Sequence, residues 1–245
     1  MRFIIIILLF LLSTSISAAE SNSGQMPKHK WSFNGIKGTF DRAALQRGFK
    51  VYKEVCAGCH SMKLLYYRDL IDIGFSEAEV KAIAAEYTVL DGPNDEGEMY
   101  ERDARPADRF VSPFANDNEA RLSNNGAYPP DLSVITKARK YGEDYIYNFI
   151  LGYEEPPEGM EVGDGMYYNK YYSGNLIGMP QPLYEDGVTY ADGTKATPEQ
   201  MAKDVTAFLA WASEPELEER KQTGIAVILF LLVLTLLSYF AMKKI

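Results

Sequence analysis

Only two cysteines and two histidines occur in this chain of 245 residues, and positive charge is in deficit, with 25 Lys and Arg against 34 Asp and Glu. Each shortage removes a class of protein. Cys56 and Cys59 are too few for the disulfide framework on which small exported domains depend. A zinc site needs four ligands, and these two thiols with His29 and His60 would all be consumed. The adjacency of Cys59 and His60 is also awkward for a tetrahedral site. A formal net charge of −9 argues against nucleic-acid binding, which wants a basic face. No internal repeat and no low-complexity tract is present.

Apolar residues are plentiful at both ends. Phe3–Leu12 is a run of ten after a lone Arg2, and Ser17 and Ala19 fit the −3 and −1 positions of a leader-cleavage site. Ten residues cannot cross a hydrocarbon core, which needs about 17–25 in a helix. The segment is neither Arg-rich nor amphipathic, as a mitochondrial presequence would be. Gly224–Met242, by contrast, is nineteen residues without a charge, flanked by Arg220 and Lys221 and by Lys243 and Lys244. The expectation is a cleaved signal peptide over residues 1–19 and an exported, periplasmic domain over 20–222. A transmembrane helix over 223–242 and a cytoplasmic tail of 243–245 follow, making a single-pass protein of a bacterial inner membrane. Loss of Arg2 with the leader takes the charge from −9 to −10, which favours a positively charged protein partner.

Between the ends, residues 20–40 read as an irregular arm. Asp41 is a plausible N-cap for a helix to about Cys56, with Ala44, Gly48, Val51, Tyr52 and Val55 on one face. Ser76-Glu77-Ala78-Glu79 is a capping box for a second helix ending near Tyr87. No helical or strand period survives over 91–119, where nine acidic residues face three arginines. Turn chemistry fills Asn124–Pro130, and a helix is expected from about Asp131 to Leu151. Residues 152–196, rich in Gly, Pro and Tyr, promise little regular structure. Thr197-Pro198-Glu199-Gln200 opens a last soluble helix, with Met201, Val205, Phe208, Leu209 and Ala212 on its apolar face.

Cys56-Ala57-Gly58-Cys59-His60 is C-x-x-C-H, the haem c attachment sequence. Thiols three positions apart reach the two vinyl groups on one porphyrin edge. The histidine that follows is then placed under the iron. A thioredoxin-type redox pair would want a βαβ context, which is missing. A plain disulfide across two intervening residues is strained and holds nothing together.

An electron carrier also needs a sixth iron ligand. His29 is the only other histidine, and eight methionines besides Met1 compete. Met242 lies in the apolar run, Met201 faces a helix core, and Met62 is too close to His60 to reach the opposite haem face. Met179 fits best, because Ile177-Gly178-Met179-Pro180-Gln181-Pro182 is a proline-braced loop. A buried gap-filler is the other reading of that methionine. A His/Met pair raises the reduction potential relative to bis-His. Tyr66, Tyr67, Tyr167, Tyr168, Tyr171 and Tyr172 read as core residues with a wet hydroxyl, in preference to an electron relay.

Longer runs carry a resemblance. Gly48–Met62, DGPNDEGEMY (91–100), NNGAYPPDLS (124–133), YGEDYIYNFILGYEEPP (141–157), IGMP (177–180), DGTKAT (192–197) and AKDVTAFLAWASEPE (202–216) resemble the cytochrome c1 family. Its members are the haem-bearing subunits of quinol–cytochrome c oxidoreductase (bc1) complexes. The similarity covers nearly all of residues 40–242 in order. These runs favour that family over haem subunits of a terminal oxidase or nitric oxide reductase, and over a haem sensor with an open sixth position.

The resemblance implies a mainly α fold: a class I cytochrome c-like domain with long loop insertions, plus one C-terminal transmembrane helix. The first and last soluble helices would cross near Gly48 with the haem against them. It implies one covalent haem c on Cys56 and Cys59, with His60 and Met179 as axial ligands. Arg139 would pair with a haem propionate, with Arg121 as the alternative. Asn124, Pro130, Ile135, Tyr145 and Tyr172 match pocket positions. Implied partners are cytochrome b, the Rieske iron–sulfur protein, a soluble or tethered cytochrome c and membrane lipid, within a dimeric complex and without nucleic acid. The chain would serve an enzyme as a subunit while catalysing no substrate conversion alone. The acidic 91–119 segment would steer a basic partner. Some relatives carry a cysteine in the G-Y-x-E-P-P stretch; Glu154 stands there, so a disulfide is excluded.

Overall fold

The structure, a computed structural model, describes residues 26–244, so the leader expected over 1–19 lies outside the described residues. Helix α1 (Arg42–Val51) starts where Asp41 accepts from the amides of Ala43 at 3.0 Å and Ala44 at 3.3 Å. It does not stop at Val51. Its last turn widens into a π-turn, Tyr52–Cys56, closed by the Ala57 amide donating to the Tyr52 carbonyl at 2.8 Å. The expected helix to Cys56 therefore holds, with a change of pitch just before the cysteines. Single π-turns inside helices recur at functional positions.

A 3₁₀ segment, Tyr67–Ile73, leads to α2 (Glu77–Ala84). Both halves of the Ser76 capping box form: Glu79 accepts from the Ser76 amide at 2.8 Å, and Ser76 Oγ accepts from the Glu79 amide at 3.3 Å.

The stretch after α2 is more ordered than its sequence indicates. Strands β1 (Thr88–Asp91) and β2 (Tyr100–Asp103) pair antiparallel, Thr88 opposite Asp103 and Asp91 opposite Tyr100. Apolar alternation is absent because ion pairs hold this hairpin. Arg102 pairs with Asp91 and donates to Asp108 at 2.6 and 3.0 Å. Helix α3 (Asp117–Ser123) then begins at Asn116, whose side-chain oxygen accepts from the amides of Asn118 and Glu119, both at 3.1 Å.

The helix expected over 131–151 is cut short. Only α4 (Gly142–Ile150) is helical, because Tyr141 at φ 70° and Gly142 at φ 54° turn left-handed and break any run from Asp131. Two-residue strands β3 (Tyr167–Tyr168) and β4 (Leu176–Ile177) are all that regularises the next long loop.

Helix α5 (Pro198–Ser213) opens as the sequence indicates, with Thr197 Oγ1 accepting from the Gln200 amide at 3.2 Å and proline in the first turn. The Gln200 side chain does not reach back to complete the box. It donates to Asp204 at 2.9 Å. Met201, Val205, Phe208, Leu209 and Ala212 are all buried. Helices α1 and α5 cross at Gly48, and Leu45, Phe49, Phe208 and Trp211 form the core there. Arg47 and buried Asp204 seal the crossing at 2.9 Å.

Helix α6 (Leu217–Lys243) begins before the apolar run and continues through it. Among the described residues it alone is long and apolar enough to cross a membrane, by length and composition. Its base is tied to the domain: Glu218 pairs with Arg42 at 2.9 Å and accepts from the Phe40 amide at 2.7 Å, while Lys221 donates to the Gly38 carbonyl at 3.0 Å. The architecture is mainly α, with one C-terminal apolar helix, as expected.

Candidate functional site

The π-turn delivers Cys56, and a tight turn folds the rest of the motif around it. The amides of Cys59 and His60 both donate to the Cys56 carbonyl, at 3.1 and 2.9 Å. Neither thiol is in a disulfide; Cys56 is half-buried and Cys59 exposed. Burial, reinforced by the neighbouring Cys59, pushes the Cys56 thiol up to about 12, so it is a neutral thiol at pH 7.

His60 Nδ1 stands 2.8 Å from the Pro130 carbonyl oxygen. A carbonyl only accepts, so Nδ1 carries the proton and Nε2 keeps its lone pair. Burial lowers the pKa of the ring, against the opposing pulls of the Pro130 hydrogen bond and of Asp131. In its neutral form an imidazole held this way leaves Nε2 free to meet a metal.

The segment that supplies Pro130 also meets the Met179 loop. A Cβ added at Gly178 would come 3.1 Å from Ala127 Cβ, so residue 178 must be small for this approach. Met179 itself is half-buried, and its carbonyl accepts from the Tyr153 hydroxyl at 3.0 Å. The loop 124–130 thus touches both predicted axial residues' supports.

The remaining predicted residues divide. Arg139 is exposed, donates only to the adjacent Ala138 carbonyl at 3.1 Å, and makes no ion pair among the described residues. It lies close enough to Tyr145 to oppose the burial that raises that phenol's pKa. Tyr145 stacks on Phe149 at 5.6 Å, and Phe149 meets Tyr172 at 6.1 Å, so these residues share one wall. Ile135 is buried. Asn124 turns its amide to the Ala120 carbonyl at 2.7 Å, closing α3. Arg121 donates to the Gly126 carbonyl at 3.2 Å and lies over the Tyr128 ring at 5.2 Å.

The other sixth-ligand candidates divide into partnered, buried and exposed side chains. His29 is engaged by Asn148 at 3.2 Å, and Met62 and Met201 are wholly buried in the core. Met99, Met160 and Met166 are exposed. The tyrosine reading needs correction: Tyr67 is core, whereas Tyr167 and Tyr172 are exposed. Tyr167 pairs in the small β3–β4 ladder, while the Tyr172 amide donates to the Asn169 carbonyl at 3.3 Å in a turn.

Two residues of the frame escaped the sequence reading. Asn169 is fully buried, donating to the Phe149 carbonyl at 2.8 Å and accepting from the Tyr171 amide at 3.0 Å. Asp131 joins segments seventy residues apart, accepting from Ser61 Oγ at 2.8 Å and from the Lys63 amide at 2.9 Å. Each reads in sequence as ordinary turn chemistry, and only the fold supplies the distant donors.

A cleft of about 680 Å³ opens beside Cys59, walled by Ser61, Lys63, Tyr128 and the 112–118 loop. Neither His60 nor Met179 lines it; of the predicted haem-binding residues it adjoins Cys59 alone. Among the described residues no cluster of three or more His, Cys, Asp or Glu is disposed to hold a bare metal ion. The chemistry of the predicted residues fits a haem c: two free thiols, an imidazole whose Nε2 is free when the ring is neutral, a thioether on a braced loop, and a guanidinium with no ion pair among the described residues.

Comparison with known proteins agrees. Residues 31–245 match the model of the cytochrome C1 family. The chain is 50% identical over 227 residues to cytochrome c1 1, heme protein, mitochondrial, of Arabidopsis thaliana, covering 92% of this chain and 74% of that one. It is 48% identical over 259 residues to cytochrome b/c1 of Bradyrhizobium diazoefficiens, covering 97% of this chain but 38% of that longer protein. It is 47% identical over 213 residues to the cytochrome b-c1 complex catalytic subunit of Candida albicans, covering 86% and 74%. The chain belongs to the cytochrome c1 family.

Proposed function

We propose that this chain is the haem-bearing, one-electron carrier of a quinol–cytochrome c oxidoreductase (bc1) complex. It would take electrons from a Rieske iron–sulfur protein and pass them to a cytochrome c. When bound, a single covalent haem c supplies a one-electron couple. The observation that carries the reading is the lock of His60 Nδ1 on Pro130, in a segment that also approaches Gly178, the residue before Met179.

In this reading Cys56 and Cys59 form the thioethers, and His60 Nε2 and the Met179 sulfur are the axial ligands. The Pro130 carbonyl fixes the proton on Nδ1 and holds the ring in one orientation. The Tyr153 hydroxyl, by holding the Met179 carbonyl, restrains the loop that presents the weak thioether ligand. Arg139 would neutralise a propionate whose burial alone would be costly, with Asn124, Pro130 and Tyr145 lining the pocket.

The names of the Candida and Bradyrhizobium relatives support a complex and a cytochrome b neighbour. Helix α6 would span the inner membrane among lipids, with residues 20–222 periplasmic, 243–245 cytoplasmic and 1–19 removed. A dimeric complex is proposed on the resemblance alone. Asp95, Glu96, Glu98 and Glu101 are exposed on and around the β1–β2 hairpin and would steer a basic cytochrome c. A flat ionic-strength dependence of electron transfer would count against steering.

The test of the ligand set is a reduced-minus-oxidised spectrum and midpoint potential for the wild type beside Met179→Leu. The variant is expected to show a lowered potential and to bind CO when reduced. Wild-type behaviour on both counts would remove Met179 from the iron.

A further inference from the structure

Orientation of the His60 ring depends on one backbone carbonyl, and that carbonyl sits on a loop. Without a second restraint, residues 124–131 could shift and take Pro130 with them. The restraint is a ladder between residues 61–64, immediately after His60, and residues 131–133, immediately after Pro130. Asp131 Oδ2 accepts from Ser61 Oγ at 2.8 Å and from the Lys63 amide at 2.9 Å. The Leu132 amide donates to the Ser61 carbonyl at 2.9 Å, and the Leu64 amide donates to Ser133 Oγ at 3.0 Å.

We propose that Asp131 is the positioning residue for the His60 imidazole, holding the Pro130 carbonyl against Nδ1 and placing a negative charge beside that ligand. The inference rests on the reading of His60 as an iron ligand. Two of the four bonds between the segments end on this one carboxylate oxygen. Its other oxygen accepts from the Ser133 amide at 2.9 Å, an ordinary local turn bond. A residue serving only the turn would use that local bond and leave the second oxygen in solvent. Here the second oxygen reaches residues 61 and 63.

An amide in place of the carboxylate has one acceptor where the site uses two. In Asp131→Asn, either the Ser133 amide or the pair from Ser61 and Lys63 must lose its acceptor. The negative charge goes as well. Both changes favour the less positive, reduced state of a bound haem, because a weaker Nδ1 hydrogen bond makes the imidazole a poorer donor to ferric iron. Ser61→Ala separates the two effects, since it removes one bond and leaves the charge.

The experiment uses the full chain in its membrane complex. Covalent haem per polypeptide is measured first, from the pyridine haemochrome. Potentiometric titration and the low-temperature EPR spectrum of the ferric protein follow, the g values reporting the plane of the axial imidazole. Asp131→Asn is expected to keep its covalent haem and to shift the reduction equilibrium toward the reduced form by about three- to tenfold. Its g values should change. Ser61→Ala should change the g values in the same sense with a smaller shift in the equilibrium. If Asp131→Asn does not accumulate, Ser61→Ala carries the test through its g values. Wild-type equilibrium and g values in the variants that accumulate would overturn the positioning role. A wild type without covalent haem would overturn the ligand reading beneath it.

Discussion

Gly48 lies directly against Asp204: a Cβ on residue 48 would stand 2.1 Å from the Asp204 carbonyl oxygen and 2.7 Å from Phe208 Cβ. The obstacle is mostly backbone, so no rotamer change relieves it. The two helices can cross this closely only because residue 48 has no side chain.

Gly48→Ala is therefore expected to destabilise the domain. Alanine would gain about 1 kcal/mol in helix propensity. Forced separation of the helices costs more, about 3 kcal/mol. Chemical denaturation of the two proteins, followed by tryptophan fluorescence, should show a clearly lower midpoint for the variant. An unchanged or raised midpoint would mean that the helices do not meet here.

Arg47→Met removes the guanidinium that donates to buried Asp204 at 2.9 and 3.1 Å and to Asp192 at 2.8 Å. Gln200 remains as a neutral donor to Asp204 and cannot balance its charge. The expected loss is about 3–5 kcal/mol, the usual consequence of leaving a buried charge without its partner. The companion Asp204→Asn in the same background should recover part of it, because the uncompensated charge is then gone. Failure of that recovery would point to lost packing instead.

Acid should weaken the fold in a defined window. The Arg102 guanidinium holds the Asp108 carboxyl down at about 2, and the Thr194 amide followed by Arg47 does the same for Asp192. A carboxylate with a depressed pKa stabilises the fold fully above its ordinary value of 3.8 and loses that contribution as pH falls through the folded value. Urea midpoints are expected to be level from pH 7 to about 5 and to fall between about 4 and 2. Asp108→Asn should make the fall shallower, and an identical profile in that variant would contradict the assignment.

Local chemistry was legible in the sequence, and distant chemistry was not. The C-x-x-C-H motif and the caps at Asp41, Ser76 and Thr197 are written in spacings of a few residues, whereas the crossing at Gly48 was expected only from the family resemblance. The β1–β2 hairpin was not, because Arg102 holds it through Asp91 and Asp108 and no apolar alternation marks it. Tyr141 broke the helix expected from Asp131 by adopting a left-handed conformation that Gly, Asn or Asp would have announced. Asn169 and Asp131 escaped because their partners lie up to seventy residues away, where only the fold reveals a donor. The tyrosine-rich loops were read as core, yet Tyr167 and Tyr172 are exposed: aromatic content alone does not say which side of a loop faces inward.

The most direct measurement is extraction of the purified, haem-containing protein with acidified acetone. Two thioether bonds from Cys56 and Cys59 should keep the pigment with the precipitated polypeptide. Pigment released freely into the organic phase would show that no covalent link exists, and the assignment of this site would fail.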